Sequence, residues 1–241
     1  KSYLDSVISS IFFYSNFYFH YSGQAYGQTI LSSKPLLHTW SLAVEEQFYI
    51  LYPIFLIFSI YLLKKNIKIL FYLIILFSLI FASYISENHP SFNFYMLFTR
   101  SWELMCGAVV ALHHLGERKR NYYNLLSYVG FFLIIFSFIF FDDPHQHPSF
   151  LTLIPVFGCC LIIIDKDSNS LIHKFLSHKW LVNIGLISYS LYLWHHPILS
   201  FGKISGITEE SIFFKILLIL LSFFLSALTY HMVEKKFRNS N

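Results

Sequence analysis

Hydrophobic residues in this chain of 241 come in long uninterrupted blocks, without strict alternation. Blocks at 48–63, 69–86, 94–115, 122–141, 150–164, 180–201 and 211–232 approach or reach the roughly 20 residues that a helix needs to cross a bilayer. Hydrocarbon cannot satisfy an open backbone, and the blocks lack the period of two of a barrel strand, so each is predicted as a helix. An eighth stretch, 7–20, is apolar but short and carries Ser, Tyr and Asn, which predicts a tilted, broken or interfacial segment. The expected fold is all-α: a polytopic transmembrane helix bundle of seven long spans plus a short N-terminal membrane segment.

The polar positions between the blocks predict an orientation. Lys64, Lys65 and Lys68 follow the first long block, Arg118, Lys119 and Arg120 the third, Lys166, Lys174 and Lys179 the fifth, and Lys235, Lys236 and Arg238 the last. The stretches 87–93 and 142–149 carry no Lys or Arg, and 202–210 carries only Lys203. Twelve of the 17 basic residues thus fall on alternate sides, the pattern of the positive-inside rule, which predicts a cytoplasmic C-terminus and an outer location for 38–47.

Composition adds weight to the membrane reading, with 56% hydrophobic, 20% aromatic and only 12% charged residues. The net charge of +4 is used up by the alternating loops, so no basic face is left for nucleic acid. Cys106, Cys159 and Cys160 lie inside apolar blocks without metal or redox spacing. No removable signal peptide is evident, and a chain that opens in mid-pattern on Lys1 is expected to be N-terminally truncated.

Against this apolar background three polar constellations stand out. In 36–53, His38, Glu45, Glu46 and Gln47 crowd the entrance of the first long block. Ser41 is expected to cap a helix starting near Leu42, with both carboxylates near its positive end. Glu45, Tyr49 and Tyr52 share a helical face, which reads either as a stabilised helix entrance or as a functional stripe. Pro53 is expected to kink the helix. The second is Arg100 to Gly107, where Arg100 and Glu103 share a face at i, i+3 and would lie roughly 9 and 14 Å into a continuous third span at 1.5 Å per residue. Gly107 and Ala111 extend that face with small residues that admit a neighbouring helix. A self-neutralising structural pair is the plain reading, yet an intramembrane arginine costs enough that a role is favoured. The third is Ile187 to Pro197, where Gly185, Ser188, Tyr192 and His195 form a polar stripe and Pro197 is expected to bend or end the helix. Asp142, Asp143, His145 and His147 resemble a metal set only loosely; two prolines and a turn account for them, and no metal site is expected.

The order and spacing of these motifs resemble the acyltransferase-3 family, membrane-bound bacterial O-acyltransferases that modify surface polysaccharides. Leu37 to Leu42 with Glu45 to Tyr49 carries the most specific part. Arg100 to Gly107 is similar to the family's Arg-x-x-Glu-Leu-x-x-Gly helix, Ser188 to His195 with Pro197 to its late Ser-Tyr-Ser-Leu-Tyr-Leu-Trp-His helix, and Val233-Glu234 with Phe237-Arg238 to its terminal motif. The resemblance implies that 1–241 is the C-terminal part of an acyltransferase-3 membrane domain in the inner (plasma) membrane. It implies transfer of an acyl group, in the first instance acetyl, from cytoplasmic acyl-CoA to a hydroxyl of a glycan or lipid-linked saccharide, with no bound cofactor and the lipid bilayer as surroundings. Further helices, with a His assigned to catalysis, normally open this domain, so the fragment alone is expected to lack part of the machinery. On this reading Arg100 stabilises the donor or the oxyanion, Glu103 orients Arg100, Glu45 orients or activates a base, and His195 is the second candidate base. His38, Glu46, Tyr49, Ser188 and Tyr192 are the expected substrate-binding residues. A transporter or flippase of a polar envelope precursor and a degenerate structural subunit are the competing readings.

Overall fold

The computed structural model of the protein describes residues 2–22, 34–63, 67–114, 124–141, 147–165, 170–206 and 211–238. Lys64, Lys65, Arg118, Lys119, Arg120, Asp142, Asp143, His145 and Lys166 lie outside them. Among the described residues the regular structure is helical throughout. Two short helices, α1 (Ser2–Ile11) and α2 (Ser15–Tyr21), are split where Phe13 takes a φ of 54°, so the 7–20 stretch is the broken variant of the expected segment. There follow α3 (Thr39–Leu63), α4 (Ile67–Ile85), α5 (Pro90–Tyr95), α6 (Leu97–His114), α7 (Asn124–Phe140), α8 (Leu153–Ile164), α9 (Leu171–Leu176), α10 (Lys179–Ile204) and α11 (Ile212–Thr229). A π turn, Tyr230–Glu234, and α12 (Lys235–Arg238) close the chain. Among the described residues, three stretches, Thr39–Tyr61, Ile67–Ile85 and Ile212–Arg238, are long and apolar enough to cross a membrane. Leu125–Phe140 and Phe150–Ile164 are shorter apolar helices.

Three local expectations need correction. Helix α3 begins at Thr39 rather than near Leu42, because a run of i→i−3 bonds, Leu37 N to Lys34 O and Thr39 N to Leu36 O, leads the backbone into it. Ser41 is therefore inside the first turn and caps nothing, and Glu45 and Glu46 lie in the second turn. Pro53 and Pro197 stay within α3 and α10, so Pro197 does not end its helix. The third block is not continuous: α5 stops at Tyr95, Met96 is extended (φ −93°, ψ 143°), and α6 starts at Leu97. Arg100 consequently sits in the first turn of α6, nearer its start than the predicted depth.

The chain divides into two compact units, 1–42 with 176–241, and 43–175. In the first, α10 packs on α11. Trp194 Nε1 donates to Thr229 Oγ1 at 2.9 Å, and Ser190 Oγ donates to Glu234 Oε2 at 3.0 Å. In the second, α4 packs on α6 and α7 on α8. Both units turn small polar side chains inward and large apolar ones outward. Ser78, Ser190, Ser222 and Ser226 are buried, whereas Phe77, Phe138, Phe213 and Phe224 are exposed, the reverse of a water-soluble bundle. The hydroxyls bond neighbouring carbonyls, as Ser78 does with Phe98 O (2.6 Å) and Ser226 with Ser222 O (2.5 Å), so inward polarity leaves no unpaired donor at these serines.

The α7–α8 contact depends on two glycines. A Cβ on Gly130 would come within 2.6 Å of Gly158 O, and one on Gly158 within 2.8 Å of Gly130 O. Each approach is backbone to backbone, so no side chain can move aside. Gly107, expected to admit a neighbour, would gain a Cβ with nothing within 4 Å among the described residues, so the close seam is elsewhere. Gly130→Val should cost on the order of 1–3 kcal/mol by overpacking. Thermal unfolding in detergent should show a lowered midpoint for Gly130→Val and little or no loss for Gly107→Ala.

Candidate active site

In the first unit the residue preceding α3 meets α10. His38 is buried at 6% exposure, with its ring 5.1 Å from that of Tyr192, 5.6 Å from His195 and 5.0 Å from His196. The backbone is fastened first. Tyr192 Oη donates to His38 O, which uses its single proton, so at the 2.6 Å contact between Ser41 Oγ and Tyr192 Oη the serine is the donor. This relay from Ser41 through Tyr192 to the His38 carbonyl fixes the start of α3 against α10.

Carbonyl partners also set the ring tautomers. His195 Nδ1 lies 3.0 Å from Leu191 O, and His196 Nδ1 lies 3.2 Å from Pro35 O. A carbonyl can only accept, so the neutral form of each ring carries its proton on Nδ1 and presents Nε2 as a lone pair. Among the described residues, both ring nitrogens of His38 are buried with no hydrogen-bond partner. A 380 Å³ pocket lies alongside, bordered by Ser188, Tyr192, His195, Leu199, Ser222 and Phe223. The predicted stripe of Ser188, Tyr192 and His195 thus shares one pocket; Ser188, itself exposed, turns its Oγ back to Gly185 O at 2.7 Å.

Burial, then the neighbouring His196 and His195, push His38 down to about 3. A histidine kept neutral by folding takes up its proton only when unfolded. Between the unfolded value of about 6.5 and the folded value, the unfolded state binds more protons and stability falls as pH falls. At pH 5 the loss from this group is roughly 2 kcal/mol relative to pH 7.5. Thermal midpoints in detergent at those two pH values should differ more for the wild type than for His38→Gln.

The second unit holds the Arg100–Glu103 pair, and the break at Met96 builds it. With α5 and α6 discontinuous, the carbonyls at the end of α5 lack helical amides and take side-chain donors. Thr99 Oγ1 donates to Asn93 O at 2.6 Å, and Arg100 Nε donates to Phe94 O at 2.8 Å. The guanidinium lies 4.9 Å from the Phe94 ring centroid, and its Nη1 is 3.3 Å from Glu103 Oε2. The pair is largely buried, with side chains 14% and 20% exposed, and among the described residues the buried Glu103 Oε1 has no hydrogen-bond partner. The guanidinium is thus fixed by a carbonyl, a carboxylate and an aromatic ring.

The other predicted residues are less enclosed. Glu45 and Glu46 are half-buried on α3, and Tyr49 is exposed at 59%, so the expected stripe does not bury its tyrosine. Tyr52 instead stacks on Phe48, with ring centroids 5.1 Å apart. The sequence assigns no individual role to His196 or Glu234, and to Ser41 only that of a helix cap. His196 was visible as the second of a His-His pair before a proline, whereas the Ser41–Tyr192 and Ser190–Glu234 contacts join residues 151 and 44 positions apart.

A helical chain with buried cationic and imidazole clusters in this motif order defines a class, and the chain belongs to it: the family described as Acyltransferase domain, acyltransferase-3, matches residues 6–231. Among particular proteins it is similar to YrhL of Bacillus subtilis strain 168, 30% identical over 96% of this chain and 39% of that protein. It is also similar to the peptidoglycan O-acetyltransferase OatA of Listeria monocytogenes, 28% identical over 100% of this chain and 41% of the relative. The O-acetyltransferase OatA of Staphylococcus aureus strain NCTC 8325 is 29% identical over 96% and 41%. The chain spans about two fifths of the length of the curated relatives it matches. No solved structure matches it.

Proposed function

We propose that the protein containing this chain transfers an acyl group, in the first instance acetyl, from acyl-CoA to a hydroxyl of a cell-envelope glycan. The family and the relatives named for peptidoglycan O-acetylation support the reaction class and a glycan acceptor. The observation that carries the assignment is the locked His195 ring. Its Nδ1–H is held by Leu191 O, and it borders a pocket with Nε2 left as the basic nitrogen.

In the reaction the acceptor hydroxyl oxygen bonds to the thioester carbonyl carbon, and the carbon–sulfur bond then breaks. The hydroxyl proton passes to His195 Nε2 and from there to the departing thiolate. Arg100 stabilises the carbonyl oxygen as it becomes anionic, with Glu103 orienting the guanidinium. Glu45 supports a base, and His38, Glu46, Tyr49, Ser188 and Tyr192 bind substrate. A bundle of seven spans in the inner (plasma) membrane, with the C-terminus cytoplasmic, suits a donor and an acceptor on opposite sides, and the charge alternation supports that orientation. The test is the acetyl content of envelope glycan in a deletion strain complemented with the wild-type gene or a Glu45→Gln variant. Glu45→Gln should insert normally yet fail to restore acetylation; full restoration would remove Glu45 from the site.

A further inference from the structure

The end of α5 holds two other parts of the chain, the Arg100 side chain of α6 and the backbone at Pro148. Phe94 O holds Arg100 Nε, as described. One residue earlier, the fully buried Asn93 donates from Nδ2 to Pro148 O at 2.8 Å, and Pro148 is itself fully buried. His147, next to Pro148, is thereby fastened to the same backbone turn that fastens Arg100.

The orientation of its ring follows from the turn that comes after it. In the capping box of residues 149–152, Thr152 Oγ1 accepts from Ser149 N at 3.0 Å and lies 3.0 Å from His147 Nδ1. Thr152 is buried at 5% exposure, and among the described residues Nδ1 is the acceptor in reach of its one hydroxyl proton. Nδ1 therefore accepts, and the ring proton resides on Nε2. Burial and then the charge of Arg100 hold this imidazole down to about 4, so it is neutral at ordinary pH. Among the described residues Nε2–H has no hydrogen-bond partner, and His147 is only partly buried, which leaves the donor open to a ligand. A neutral N–H held by the same turn as a guanidinium, and within reach of its charge, suits an oxygen that gains negative charge, and it adds no proton of its own to the reaction.

We infer that His147 donates its Nε2–H to the acyl carbonyl oxygen that Arg100 stabilises, forming the second donor of an oxyanion site. This rests on the acyl-transfer reading above. His147 neither gains nor loses a proton in the step; it only binds the oxygen.

The test uses the purified full-length protein in proteoliposomes, with acetyl-CoA as donor and a peptidoglycan-derived oligosaccharide as acceptor. His147→Ala should lower kcat about 10²-fold, with KM for acetyl-CoA changed by less than about threefold. His147→Gln, whose amide supplies an N–H, should recover most of that loss. Thr152→Val, which frees the ring tautomer, should fall between wild type and His147→Ala, whereas Thr152→Ser should match wild type. The inference is overturned if His147→Ala keeps a wild-type kcat while Arg100→Lys loses activity. It is overturned equally if His147→Gln is as impaired as His147→Ala while both keep the wild-type melting temperature. Wild-type activity in Arg100→Lys as well would instead bring down the parent reading.

Discussion

Arg100→Lys should reduce glycan acetylation by about 10²- to 10³-fold while leaving the protein folded. Lysine keeps the positive charge next to Glu103, so no carboxylate is stranded in a buried setting. It cannot reproduce the Nε–H bond to Phe94 O or lie flat against the Phe94 ring at 4.9 Å, and it lacks a planar fork to aim at a carbonyl oxygen. The more obvious Arg100→Ala is a poorer test. Removing one partner of a buried pair costs on the order of 3–5 kcal/mol, because Glu103 would be left uncompensated. Loss of activity in that variant would mix chemistry with misfolding. Melting temperature measured beside activity separates the two. Arg100→Lys should melt near the wild type and be inactive, and Arg100→Ala should be lowered in both.

His195→Gln should lower kcat by roughly 10²- to 10⁴-fold, the range for loss of a positioned general base. The ring is held by one backbone bond, Nδ1–H to Leu191 O at 3.0 Å, within its own helix. Glutamine can keep a donor for that carbonyl but offers no basic nitrogen, so α10 should stay intact. His196→Gln is the informative comparison. His196 has the same tautomer, set by Pro35 O, but does not border the pocket described above. It should lose less activity, and a loss equal to that of His195→Gln would move the base assignment to the pair. Single-turnover rates with acetyl-CoA would distinguish a lost base from weakened donor binding.

The helical class is legible because each apolar block has one workable backbone solution in hydrocarbon, and every block overlaps a described helix, although α3 starts earlier than its block and the third block is broken at Met96. Arg100, Glu103 and His195 stand out in the sequence as candidates because ionisable groups inside apolar blocks are rare. The break at Met96 was not, since Phe94-Tyr95-Met96-Leu97 is as apolar as its flanks and carries no Gly or Pro. That break supplies the Phe94 carbonyl to Arg100, so the reason for the guanidinium's placement was hidden with it. Ser41 looked like a cap because its type and spacing fit one. Its actual partner, Tyr192, lies 151 residues away, and helical periodicity carries no information on such pairings. The Gly130–Gly158 seam was missed for the same reason, as each glycine is unremarkable in its own helix. In the sequence His147 reads only as part of a weak metal set; its link to the Arg100 anchor depends on Asn93 and Pro148.

The central claim, that this chain belongs to an enzyme acylating an envelope glycan through Arg100, is tested most directly by mass spectrometry of glycan fragments. The strains are a deletion mutant complemented with either the wild-type gene or Arg100→Lys. The expected result is fragments carrying one more acetyl group with the wild type, and unmodified fragments with Arg100→Lys at equal membrane abundance. Equal acetylation in the two strains, or unchanged acetylation on deletion with altered glycan export, would contradict the account.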